Sequence, residues 1–204
     1  MEFDYVIVGG GSAGCTLANR LTANRKYTVC LLEAGGKDRN PWIHIPAGFV
    51  KTMVDPSVNW LFETKPQDST GNRPIPVPRG KVIGGSSSIN GMLYVRGQPQ
   101  DFNHWRQLGN SGWSWEDVLP LFKRSESWEG EDDGMRGQEG PLTVSRNRVN
   151  RGIVDAWLAA AVAAGHKWTD DYNQEDQEGV GYFQMTIRGG RRCSAAVAYL
   201  NPVK

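Results

Sequence analysis

Residues 3–10, FDYVIVGG, carry an apolar run from Tyr5 onward that ends in glycine, the pattern of a strand buried on both faces of a sheet. Over the following stretch, GGSAGCTLANRLTAN, Ala13, Leu17, Ala18 and Leu21 recur at helical spacing, and Asn24 stands where such a helix would stop. The segment YTVCLLEAGG then predicts a second apolar, β-branched strand that ends at Glu33. Strand, tight turn, helix and strand within about 30 residues make a βαβ unit over residues 1–36, with parallel strands and a right-handed crossover.

Regularity stops after Gly36. Pro41, Pro46, Pro56, Pro66, Pro74, Pro76 and Pro78 exclude a long helix or a central strand between Lys37 and Arg79. A stretch of this length without structure of its own is expected to cover something, and Trp42, Phe49, Trp60 and Phe62 suggest that it is ordered against a surface or a ligand. The second half is mixed. A short helix is expected over 101–108, and another begins at Ser114, whose spacing to Asp117 approximates a capping box, with Pro120 able to kink it. Residues 129–140 read as an exposed polar loop. An Ala-rich helix stopped by glycine lies within 150–165, a strand within 181–190, and a short helix opened by Ser194 follows. No internal repeat is present.

Length and charge narrow the possibilities. The 204 residues suffice for one domain, or one domain and part of another. A net charge of +1 gives no general electrostatic reason to expect nucleic acid or an anionic membrane as partner. No apolar run reaches membrane-spanning length, and the N-terminal run is too short, and preceded by acids, for a secretion signal, so a soluble, cytoplasmic protein is expected. Cys15, Cys30 and Cys193 are far apart and read as reduced packing thiols. His44, His104 and His166 are equally scattered, so no metal site is expected.

The chemistry concentrates first at the turn of the βαβ unit, a GxGxxG on Gly9, Gly11 and Gly14. The first glycine permits the turn, the second lets backbone approach a pyrophosphate, and the third lets helix pack on strand. Free amides at the helix N-terminus meet phosphate charge. Glu33, 19 residues beyond Gly14 at the end of the second strand, is placed to accept hydrogen bonds from a ribose hydroxyl and disfavours a 2′-phosphate. Dinucleotide binding follows, and NADP is disfavoured. No tyrosine is followed by lysine at the fourth place, which counts against a short-chain dehydrogenase.

Residues 79–97, RGKVIGGSSSINGMLYVRG, hold a second concentration of glycine and hydroxyl, too apolar at Ile83, Ile89, Met92, Leu93 and Tyr94 for a flexible linker. With its surroundings this stretch resembles the first signature of the glucose–methanol–choline (GMC) oxidoreductases. VIVGGGSAG at 6–14, LEAG at 32–35, IHIPAG at 43–48, NWLFETKPQ at 59–67, GWSWEDVLPLFKRSE at 112–126, GPLTV at 140–144 and RRCSAAVAYLNP at 191–202 agree, so the resemblance covers essentially the whole chain, nearest to the choline- or alcohol-dehydrogenase type.

The resemblance implies an α/β fold: an FAD-binding, Rossmann-like βαβ unit over 1–36, an irregular flavin-contacting segment over 37–100, and part of an α+β substrate domain over 101–204. It implies FAD as cofactor and oxidation of a small-molecule alcohol by hydride transfer, to an electron acceptor the residues do not identify. Other activities on the scaffold (oxidase, lyase, photodecarboxylase) or a non-catalytic FAD-binding fragment stay open, as does the oligomeric state. Cofactor contacts are expected from Gly9, Gly11, Ser12, Ala13, Gly14, Glu33 and Ala34, and from Val82, Gly84, Gly85, Ser86, Asn90, Gly91, Met92 and Leu93. Ile89 stands where some choline oxidases carry a flavin-linking histidine, so the FAD is expected to be non-covalent. The family's catalytic pair lies further along its members, so no catalytic residue is assigned and the chain is expected to be C-terminally truncated. A two-stranded βαβ unit cannot cover both faces of its sheet, and marginal stability with exposed apolar surface is expected.

Overall fold

The computed structural model describes residues 2–131, 134–149 and 151–203. Its contacts divide the chain into two compact units, Met1–Met92 with Ile187–Lys204, and Leu93–Thr186. Residues 187–203, which sequence order groups with the second half, therefore pack with the first.

The first unit is built on the expected βαβ element. β1 (Tyr5–Val8) pairs in parallel with β2 (Val29–Leu32), Tyr5 opposite Val29 and Val8 opposite Leu32, and α1 (Ser12–Thr22) connects them. The strands are not buried on both faces as their apolar run predicts. Val8 is 84% exposed, and Val6 and Leu32 are also open, because a two-stranded sheet with one helix on it leaves its remaining surface uncovered. The other side of α1 meets a π-type helical turn over Ala196–Leu200, where Asn19 donates to the Tyr199 carbonyl at 2.8 Å and the Arg20 guanidinium lies over the Tyr199 ring.

The proline-rich stretch is ordered, as its aromatics suggest. It forms α2 (Pro41–His44), a 3₁₀ turn at Pro46–Gly48, α3 (Phe49–Thr52), and an antiparallel ribbon of β3 (Phe62–Glu63) with β4 (Pro76–Val77). Ile43 and Val58 from this stretch form a buried cluster with Val82 and Ile89 of the next one.

In the second unit α4 (Pro99–Gln107) starts on a Gln98/Asp101 capping box with proline in the first turn. α5 (Trp115–Ser125) starts on the expected Ser114/Asp117 box and runs through Pro120, whose exposed position leaves the freed Glu116 carbonyl to solvent. Phe102, Trp105, Trp115 and Phe122 pack ring against ring between these helices. β5 (Glu126–Trp128) pairs in parallel with β6 (Leu142–Val144), and α6 (Gly152–Ala163) follows. Asn150, expected near the start of that helix, lies outside the described residues. The strand expected over 181–190 is mostly irregular. Met185 makes single bridges to Leu93 and Ser145, and only β7 (Ile187–Arg188), which returns through Gly189 and Gly190 to β8 (Arg191–Arg192) in the first unit, is ladder-paired.

The loop over 129–140 departs most from expectation. Residues 132–133 are outside the described ones, but Arg136 is fully buried. It pairs with Glu126 and Asp171 and donates to Gln184 at 2.9 Å, with its guanidinium 4.1 Å above the Trp128 ring. Arg96 pairs with the other oxygen of Glu126. Two buried guanidinium groups thus share one buried carboxylate, and charge pairing draws in a segment that polarity alone places outside.

Such a cluster is costly to break. Glu126→Gln is expected to destabilise the second unit by about 3–5 kcal/mol in urea unfolding, since it strands two buried cations. Glu129→Ala, which removes the exposed partner of Arg148, is expected to cost less than about 1 kcal/mol. Burial pushes the Asp171 carboxyl up, but Arg136, the Asn173 amide and Gln184 outweigh it and hold the group below its ordinary value. The stability this supplies is complete above the unfolded pKa of about 3.9 and is lost as pH falls through the lower folded value. An Asp171→Asn variant is expected to show a shallower loss of stability below about pH 4.

Candidate dinucleotide site

Gly9, at φ +100°, turns the chain out of β1 while its amide donates to the Leu32 carbonyl at 2.8 Å. A Cβ on Gly14 would lie 1.9 Å from the Gly9 carbonyl oxygen, so the third glycine of the triplet is what lets α1 rest on the turn. The helix has no side-chain cap at Gly11, which leaves its first-turn amides to a ligand at the positive end of the helix dipole. Glu33 closes the turn from below. Its Oε2 accepts the Gly10 amide at 2.7 Å and its Oε1 the Gly35 amide at 2.8 Å, and each oxygen keeps a second lone pair.

The second glycine-rich stretch is laid directly on the first. Val82 bridges Gly36, the Ile83 amide donates to Gly36 at 3.0 Å and the Gly84 amide to Gly10 at 2.7 Å. A Cβ on Gly35 would sit 2.0 Å from the Lys81 carbonyl carbon, one on Gly80 2.3 Å from that of Gly85, and one on Gly85 2.8 Å from the Gly11 Cα. Three backbone segments are stacked at contact distance, and any side chain at these positions would separate them.

A cavity of about 690 Å³ opens beside this stack. Of the expected contacts, Gly9, Gly11, Ser12, Glu33, Ala34, Gly85 and Ser86 line it, joined by Val8, Leu32, Trp60, Arg79 and Gly80, which the motifs did not single out as contacts. A Cβ on Gly9 or Gly11 would meet nothing within 4 Å, so these two face open space in the cradle a ligand would fill. Ala13, Gly14, Val82, Gly84, Asn90, Gly91, Met92 and Leu93 are not part of its lining. Val82 is fully buried in the core, and Gly84 faces Ser88 and Ala196. Met92 is buried at φ +63°, next to exposed Asn90, while Leu93 opens the second unit.

The three serines mostly serve the loop itself. Ser86 accepts the Gly80 amide at 3.1 Å, Ser87 donates to Gly84 at 2.6 Å, and Ser88 donates to Ile83 at 2.8 Å. A residue that periodicity does not reveal supports the same loop. Arg192, buried, donates to the Ile43 carbonyl at 2.7 Å, the Ser87 carbonyl at 3.2 Å and Asn90 Oδ1 at 2.7 Å, while the Ala195 amide donates to Ser87 Oγ at 2.9 Å. Ile89 is buried in the core cluster. His44 hydrogen-bonds through Nε2 with the Asp38 carbonyl at 2.7 Å. Among the described residues no cluster of His, Cys, Asp and Glu could hold a metal ion, and no helix is long and apolar enough to cross a membrane.

A βαβ turn of this kind, joined to a second glycine-rich loop, defines a dinucleotide-binding protein of the Rossmann type. The chain belongs to the GMC oxidoreductases, whose family profile matches residues 3–204. It is 50% identical over 99% of its length to an oxygen-dependent choline dehydrogenase of Rhizobium johnstonii, and spans 37% of that relative. Pyridoxine 4-oxidase from Mesorbium loti superposes with a TM-score of 0.92 at 36% identity, over 98% of this chain and 39% of its own. An FAD-dependent oxidoreductase from Chaetomium thermophilum superposes with a TM-score of 0.89 at 31% identity, over 99% and 37%.

The close approach of the glycines is directly testable. Gly80→Ala is expected to lower stability by about 1–3 kcal/mol, because its Cβ meets backbone that cannot swing aside. Gly36→Ala, where a Cβ has open space, is expected to stay within about 1 kcal/mol of the parent. Thermal melts of the two variants side by side check the contrast.

Proposed function

We propose that this chain forms the FAD-binding portion of an enzyme that oxidises an alcohol CH–OH group, with the cavity beside Gly9 and Gly11 taking the ADP half of the cofactor. The observation that carries the reading is the open cradle at these two glycines with Glu33 at its edge, in a chain matched along its length by the GMC oxidoreductases. The residues fit the group. The first-turn amides of α1 suit a pyrophosphate, and the free lone pairs of Glu33 suit a ribose diol. Asn90, Gly91, Met92 and Leu93 are assigned to the ring end of the cofactor on the strength of the signature they belong to.

When bound, FAD supplies the two-electron acceptor for the hydride that leaves the alcohol carbon. The chain's own residues bind and orient it. Removing the hydroxyl proton requires a base within hydrogen-bond reach, and none of His44, His104 or His166 is assigned that role. The relatives' names favour choline or another small primary alcohol as substrate. Three scattered cysteines that read as reduced packing thiols favour a reducing, cytoplasmic setting.

Titrating the chain with FAD is expected to give saturable, one-to-one binding, and absence of binding by both FAD and ADP would remove this reading. Denaturing the loaded protein is expected to release all the flavin, because Ile89 offers no nucleophile and is buried. Flavin retained on the polypeptide would contradict the non-covalent assignment. For the longer enzyme, anaerobic mixing with an alcohol panel is expected to bleach the flavin absorbance, and failure with every alcohol would favour a non-catalytic flavin carrier.

A further inference from the structure

Arg79 lines the same cavity as the GxGxxG turn and is its one cationic lining residue among those described. Its position is fixed by backbone. The Arg79 amide donates to Asn59 Oδ1 at 3.0 Å, and its carbonyl accepts the Trp60 amide at 2.9 Å. Asn59 is itself buried and anchored through Nδ2 to the Met53 carbonyl at 2.6 Å. The next residue, Gly80, lies in contact with Gly85, which in turn contacts Gly11. The Cα of Arg79 is thereby tied through two backbone contacts to the phosphate-facing turn.

The side chain is left free by contrast. Its guanidinium donates only to the carbonyl of its neighbour Pro78, at 2.8 Å, and among the described residues no carboxylate lies within ion-pair distance. The carboxylate in the cavity, Glu33, accepts the amides of Gly10 and Gly35 and forms no ion pair with Arg79. A guanidinium so placed has four further N–H donors and an unspent charge, and a fork geometry suited to two oxygens of a phosphate.

We propose that Arg79 is a specificity-determining residue of this cavity, which selects a diphosphate over an uncharged nucleoside by donating to the pyrophosphate oxygens. The inference rests on the nucleotide reading of the cavity and adds a recognition element to it. The helix amides supply partial charge, and Arg79 adds a full charge to the same cavity.

The test uses ADP and adenosine as separate probes, titrated calorimetrically into the chain and into R79Q and R79K. The parent is expected to bind ADP more tightly than adenosine. R79Q is expected to weaken ADP by about 10-fold, with adenosine unchanged and R79K recovering part of the loss. ADP affinity in R79Q within twofold of the parent overturns the proposal. So does an equal loss of ADP and adenosine, which would mark Arg79 as structural. A parent that binds neither ADP nor FAD overturns the nucleotide reading of the cavity, and the proposal falls with it, whereas a parent that binds both while R79Q is silent removes Arg79 alone.

Discussion

Everything that positions the candidate site depends on three segments of backbone lying closer together than side chains permit. Gly11, Gly85 and Gly80 form that contact, and Gly35 against Lys81 extends it. Close packing at the main chain leaves no room for adjustment, so the relative placement of the helix N-terminus, the 80–86 loop and Arg79 is set by peptide geometry. Hydrogen bonds from Ile83 to Gly36 and from Gly84 to Gly10 hold the register of the approach. The proposed phosphate site needs amides fixed in advance, because reorganising them on binding would consume the binding energy. The glycine stack provides that fixity with no side chain of its own.

This changes what the glycines of the second loop mean. Composition alone suggests that they are bare in order to admit a ligand. Gly9 and Gly11 face open space and fit that idea, whereas Gly80 is bare to admit the backbone of its own loop at Gly85, and Gly85 to admit that of Gly11. No single-sequence reading separates the two cases, since both need the absence of a Cβ and only the identity of the neighbour differs. The βαβ unit and the Ser114 cap were legible because period and capping are local properties. The burial of Arg136 was not, because its partners Glu126 and Asp171 are 10 and 35 residues away and nothing in the 129–140 composition points to them. Arg79 escaped for a related reason, and Trp60 was legible only as one of four aromatics expected to cover a surface or a ligand. They join the cavity through Asn59, a residue whose role is visible only once the two segments meet.

The two units handle charge in opposite ways. In the second, Arg96, Glu126, Arg136 and Asp171 are paired among themselves, and Gln184 and the Gly137 amide take up further valences. Such a cluster is internally satisfied and offers little to a ligand. In the first, the cavity holds a cation that makes no ion pair among the described residues, and helix amides without a side-chain cap. Unsatisfied donors gathered at an accessible surface are the usual mark of a binding function, and satisfied ones in a core are the mark of architecture.

Arg192 joins these two principles. It is buried, and desolvation draws its guanidinium down to about 10, still charged at neutral pH, yet among the described residues its acceptors are neutral: two carbonyls and the Asn90 amide oxygen. A cation is an expensive way to fill a core, so its worth lies in what it connects. From a hairpin near residue 190 it reaches Ile43, Ser87 and Asn90, while Ala195 secures Ser87 from the same segment. The signature loop is thus held on one side by glycine contacts to the nucleotide turn, and on the other by residues more than 100 positions later. Its conformation is a property of the whole first unit, which explains why so short a motif needs the rest of the chain to take its shape.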